Sequence, residues 1–97
     1  MGFWVYMLRC ADGSYYTGHT EDLETRVNQH LMGVFGGYTA IHRPLSLVFS
    51  QEHSTREEAL KAERQLKTWS RKKKEAMLRG DWQTVSQLSR GKHRHQR

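Results

Sequence analysis

Ninety-seven residues, 36% of them hydrophobic, make room for one compact domain with a small core that leans on aromatics. The lone Cys10 excludes an intramolecular disulfide framework and every multi-cysteine zinc module. The net charge of +6 is unevenly spread: residues 1–60 carry four basic and seven acidic side chains, whereas residues 61–97 carry twelve and three.

The first segment, Phe3 to Arg9, alternates Phe3, Val5 and Met7 on one face with Trp4, Tyr6 and Leu8 on the other. A strand apolar on both faces belongs in the middle of a sheet. Ala11-Asp12-Gly13-Ser14 supplies turn chemistry, and Tyr15 to His19 reads as the returning strand. Thr20 is a good N-cap, with Glu21 and Asp22 placing negative charge in the first turn of a helix predicted over Glu21 to Met32. Gly33, Gly36 and Gly37 break it and open a loop that lasts to Pro44. Leu45 to Glu52 is predicted as a third strand. Ser54 or Thr55 caps the next helix, where Thr55-Arg56-Glu57-Glu58 has the capping-box pattern and Ala59, Ala62, Leu66 and Trp69 form the apolar stripe. Ser70 caps a short helix, Arg71 to Leu78, closed by Gly80. An amphipathic piece, Trp82 to Leu88, precedes a polar tail from Gly91 that is expected to be disordered. The order ββαβα followed by short helices describes an α/β (α+β) fold: a small three-stranded, mostly antiparallel sheet flanked by helices, in a single domain over residues 1–90.

The longest apolar stretch, Phe3 to Leu8, is too short to span a bilayer or to serve as a secretory signal, so a cytoplasmic protein is expected. Charge of this asymmetry points to a polyanion bound by the C-terminal third, through Arg71, Lys72, Lys73 and Lys74 and the Lys92-His93-Arg94-His95 tail. The alternative is a solvated basic helix.

Several polar residues stand where the periodicity expects apolar ones. Glu63 falls between Ala59 and Leu60 on the helical wheel, inside the arc that should face the sheet. A carboxylate there needs a cation or a donor; alternatively it reaches solvent or pairs with Arg64 or Lys67. His30 lies between Val27 and Leu31 on the inner face of the first helix, either as a core histidine or as a functional one. Arg26, one turn earlier, projects from the same side, and its plain alternative is pairing with Asp22 or Glu21. Tyr6 and Tyr16 flank the hairpin, and Gly18 marks a bulge or a close backbone approach. A two-residue turn would put the two tyrosines on opposite faces; a three- or five-residue turn puts both on one.

Val5-Tyr6, a short hairpin, and then Tyr16-Thr17-Gly18 resemble the signature of the GIY-YIG nuclease superfamily, and Arg26, His30 and Glu63 follow in that family's order. The resemblance covers roughly Phe3 to Trp69 and is closest to the small stand-alone bacterial proteins of the YhbQ type. Trp4 and Val5 stand where the name motif has Gly and Ile, and Thr17 where the second half has Ile.

The resemblance implies a metal-dependent DNA endonuclease acting on branched or damaged DNA in repair or recombination. Glu63 would hold a divalent metal, Mg²⁺, and Arg26 would bind the phosphate through its planar fork. Tyr6 would act as general base, its pKa lowered by Arg26 and the metal, with Tyr16 and His30 orienting water or sharing the proton transfer. Thr39, Arg43 and Lys67 join the basic third as nucleic-acid contacts, to DNA or to RNA; Tyr38 and His42 lie in the same loop. A non-catalytic nucleic-acid-binding module on the same fold, and a protein-interaction domain, are the alternatives.

Overall fold

The computed structural model describes residues 2–34 and 37–94, the side chains of 90–94 excepted. Its elements are β1 (Phe3–Arg9), β2 (Tyr15–Thr20), α1 (Leu23–Leu31), α2 (Gly37–Ile41), β3 (Ser46–His53), α3 (Arg56–Thr68), α4 (Arg71–Leu78) and α5 (Trp82–Arg94). They gather into two compact units, Met1–Lys67 and Thr68–Arg97.

The first unit is built on β1. Val5, Tyr6, Met7 and Leu8 are all fully buried, which requires cover on both faces and partners on both edges. The sheet supplies the partners, with order β2-β1-β3 and both pairings antiparallel. Arg9 pairs with Tyr15, so Cys10 to Ser14 form a five-residue turn. Gly13 takes φ 86°, and the Asp12 carboxylate accepts from the Ser14 backbone N–H at 3.0 Å. An odd turn fixes the register by parity. Trp4, Tyr6, Leu8, Tyr16 and Gly18 share one face, while Val5, Met7, Thr17 and His19 share the other.

On its other edge β1 meets an irregular β3. Met7 pairs with Phe49 and Leu8 with Leu47, so Val48 is an extra residue bulged out of the ladder. Phe49 therefore joins the Met7 face and Leu47 the Leu8 face.

The first face carries a core of Tyr6, Leu8 and Val27, with Tyr16, Leu23 and Leu45 packed against it. Helix α1 brings Val27 and His30 to this layer. It begins later than its spacing predicts, because Asp22 rather than Thr20 is the N-cap. Both Asp22 oxygens serve Thr25, accepting from its backbone N–H at 3.2 Å and its hydroxyl at 2.8 Å, while the Thr20 hydroxyl accepts from Asp22 N–H at 3.1 Å. The predicted glycine-rich loop contains helix α2. Gly37 takes φ 66° at its start, and buried Thr39 anchors it. Helix α3 is capped by Thr55, which accepts from Glu58 N–H at 3.1 Å. The Glu58 carboxylate accepts from Ser54 Oγ at 3.0 Å, so the box closes on the residue before the cap. Ala59 and Leu66 are its buried residues.

In the second unit Ser70 caps α4 as expected, accepting from Lys73 N–H at 3.2 Å, and Gly80 with φ 74° follows its end. Ala76, Met77 and Val85 are buried. Helix α5 runs through Gly91 to Arg94, where the sequence predicts a disordered tail. The remaining tail residues, 95–97, lie outside the described ones. Among the described residues no helix is long and apolar enough to cross a membrane.

Gly18 pairs with Tyr6 across the strands, and a Cβ on it would lie 2.6 Å from the Tyr6 hydroxyl oxygen and 2.8 Å from Cζ. Tyr6 is fully buried and cannot swing aside. Gly18→Ala is therefore expected to cost about 1–3 kcal/mol in denaturant unfolding. Adding Tyr6→Phe, which deletes the nearest clashing atom, should make the double variant less destabilised than the two single losses summed.

Candidate nucleic-acid site

The site begins with a phenol that the strand buries. The Tyr6 side chain lies across Gly18, and its hydroxyl meets His30 Nε2 at 2.8 Å. Arg26, one helical turn before His30, also hydrogen-bonds the phenol. Burial, and then the neighbouring Tyr16, push the Tyr6 pKa up to about 12, although the charge and hydrogen bond of Arg26 act the other way. Arg26 acts in the lowering direction that the sequence leads one to expect, but burial outweighs the guanidinium. At neutral pH the phenol keeps its proton, accepts from Arg26 and donates to His30.

That donation fixes the imidazole. Nε2 of His30 accepts, so Nδ1 carries the proton and donates to Thr39 Oγ1 at 3.0 Å. Burial, followed by the charge of Arg26, lowers the His30 pKa and favours this neutral form. Tyr6, His30 and Thr39 thus form one directed chain of hydrogen bonds inside the first face. Tyr16 closes the group, its ring centroid 6.4 Å from that of Tyr6 and 5.1 Å from that of His30. The odd turn is what puts both tyrosines here.

Glu63 is held differently. Its side chain is only 12% exposed, and both oxygens have basic partners: Oε1 meets Nδ1 of His19, and Oε2 meets Lys67 Nζ at 2.6 Å. Burial pushes this carboxyl up, yet Lys67 and His19 outweigh it and hold the group below the usual carboxylate range. His19 belongs to the opposite sheet face by register, so the direct partners of Glu63 are not those of the Tyr6 cluster. Its charge still acts on the phenol through space.

Of the other expected contacts, the Arg43 guanidinium lies over Gly33, where a Cβ would come within 2.8 Å of Nη1. In the second unit, Arg71 pairs with Glu75 at 3.2 Å and the Lys73 ammonium sits 4.3 Å from the Trp69 ring centroid. Lys72 is exposed, while burial lowers the pKa of half-buried Lys74.

Residues 2–76 match the GIY-YIG catalytic domain. The chain belongs to the GIY-YIG family. It is 41% identical over 75 residues to a UPF0213 protein of Staphylococcus aureus strain N315, covering 77% of this chain and 92% of that one. Two solution structures are similar. The UPF0213 protein BH0048 of Bacillus halodurans has a TM-score of 0.54 and 40% identity, covering 80% of this chain and 83% of its own. Protein EF2693 of E. faecalis has a TM-score of 0.58 and 35% identity, with 82% and 85% covered.

GIY-YIG membership raises the question of a divalent ion at Glu63. Among the described residues no three His, Cys, Asp or Glu side chains gather into a metal-holding group. Mg²⁺ demands a near-octahedral set of oxygens and gives up its waters reluctantly. At Glu63 it would also have to share one carboxylate with an ammonium already in contact. An ion held at Glu63 would therefore have to displace His19 or Lys67 from the carboxylate.

Sequence periodicity does not mark His19 as a site residue; the one signal for it is a basic side chain directly after Gly18. Lys67 was visible as an i,i+4 partner of Glu63.

The directed chain makes a pH prediction. The ordinary histidine value is 6.5, and His30 lies below it, so under pH 6.5 the unfolded state takes up this proton first. Stability should therefore fall as pH drops below 6.5. His30→Gln, which cannot titrate, should remove that part of the slope in denaturant melts run across this range.

Proposed function

We propose that this GIY-YIG chain is a nucleic-acid-binding module that holds a phosphodiester backbone at the Arg26 face without cutting it. The reading is carried by Glu63: both oxygens of the acid that cleavage chemistry would use are engaged by the chain's own His19 and Lys67. A guanidinium held against a buried phenol is a fixed, planar phosphate donor. The twelve basic side chains of residues 61–97 supply the sequence-independent attraction that backbone binding requires. The neutral state of Tyr6 accords with this reading, since a phenol with a pKa of about 12 stays protonated at neutral pH and offers almost no phenolate to take a proton.

A second reading is metal-dependent hydrolysis of phosphodiester bonds in branched or damaged DNA. It is favoured by the placement of Tyr6, Tyr16 and His30 within ring contact on one face. It requires Glu63 to be released from Lys67 and His19.

Plasmid and branched DNA incubated with the wild type, with Mg²⁺ and with EDTA, separate the two. The module reading expects binding in both conditions, intact DNA, and a log–log salt slope that becomes shallower by about 1 in Arg26→Ala. Cutting that needs Mg²⁺ and disappears in both Glu63→Ala and Tyr6→Phe would overturn it and establish the endonuclease.

A further inference from the structure

Tyr38 and His42 lie four residues apart, the first in α2 and the second just after it, with their rings stacked at 4.0 Å between centroids and 20° between planes. We propose that this pair is a platform for an unpaired nucleobase, so that the nucleic acid taken at the neighbouring Arg26–Tyr6 face is single-stranded there. The proposal rests on the backbone-binding reading above and adds the class of ligand.

Both rings are held by their edges. The Tyr38 hydroxyl donates to Ser14 Oγ at the hairpin turn. His42 Nδ1 donates to the Tyr38 carbonyl at 2.7 Å, and its Nε2 faces the Asp12 carboxylate at 3.5 Å. Edge contacts of this kind fix the rings and leave flat surface for stacking, and Tyr38 is 43% exposed. Because the rings are ordered before anything binds, little further freedom is lost when a base settles on them.

The local charge selects which part of a nucleotide sits here. Hydrogen bonds from Ser14 lower the Asp12 pKa, so an anion stands beside the His42 ring and disfavours phosphate. A neutral base is accepted, and the phosphates on either side are left to cations. Arg43 follows His42 directly in the chain, and Arg26 is linked to this helix through Tyr6, His30 and Thr39. The neighbouring residue connects the platform to the buried chain: Thr39, beside Tyr38, is the side chain bonded to His30. Exposed Ile41 adds apolar surface to the same short helix. A duplex keeps its base faces stacked inside, so only an unpaired base can use such a surface.

Fluorescence anisotropy with three labelled oligonucleotides of about 15 nucleotides tests this: a single strand, its duplex, and an abasic strand with the same backbone. The wild type should bind the base-bearing strand roughly ten- to a hundred-fold more tightly than the abasic one, and Tyr38→Ala should lose most of that margin while binding duplex and abasic strand as before. Tyr38→Phe, which keeps the ring, should stay near wild type. Equal wild-type affinity for base-bearing and abasic strands overturns the platform, and that arm needs no variant to fold. An equal loss on all three ligands in Tyr38→Ala also overturns it, assigning the ring a structural role. Wild type that binds none of the three at low salt overturns the backbone-binding reading together with the platform.

Discussion

The hydroxyl of Tyr6 organises the first unit. A phenol placed at the centre of a three-stranded sheet has no water to bond, and leaving it unpaired would cost on the order of 1–3 kcal/mol. Its partners have been found at some distance in sequence. Gly18 withholds a side chain so that the ring can cross to the β2 side, and His30 comes down from α1 to accept the proton. Thr39 then accepts from the far side of the imidazole. Each group in this chain has its polarity set by the one before it. The position of α2, a five-residue helix in a glycine-rich segment, follows from the last link.

Beside that neutral chain stands a charged one, which reaches the other face of the sheet through His19. Glu63 is a half-buried acid whose desolvation is offset by two bases, one from the edge strand β2 and one from its own helix. Removing either partner from a half-buried ion pair leaves the other charge poorly compensated. The two systems meet only through space, where the carboxylate charge acts on the phenol. The chemistry open to the site depends on whether they stay separate.

Much of this was legible in the residues. The central place of β1 follows from apolar side chains on both faces, and the shared face of the two tyrosines follows from turn parity once the turn length is known. Local rules leave the start of α1 open because Thr20 and Asp22 are both good caps; Thr25, which uses both Asp22 oxygens, decides it. Helix α2 was hidden by glycines that local rules read as breakers. The raised pKa of Tyr6 was out of reach, since neither the depth of a strand nor the packing of Tyr16 is a local property. The pairing of Glu63 with His19 joins residues 44 apart in sequence, beyond any helical or strand period, whereas its pairing with Lys67 was visible at i,i+4.

The extra residue Val48 gives β3 a double duty. Ahead of it Leu47 serves the layer that holds Leu8; beyond it Phe49 serves the layer that holds Met7. One short edge strand thus changes phase midway and feeds both sides of the sheet. Deleting or adding a single residue in this stretch would swap which layer receives which side chain. Length variation among homologous sequences should accordingly be excluded from β3.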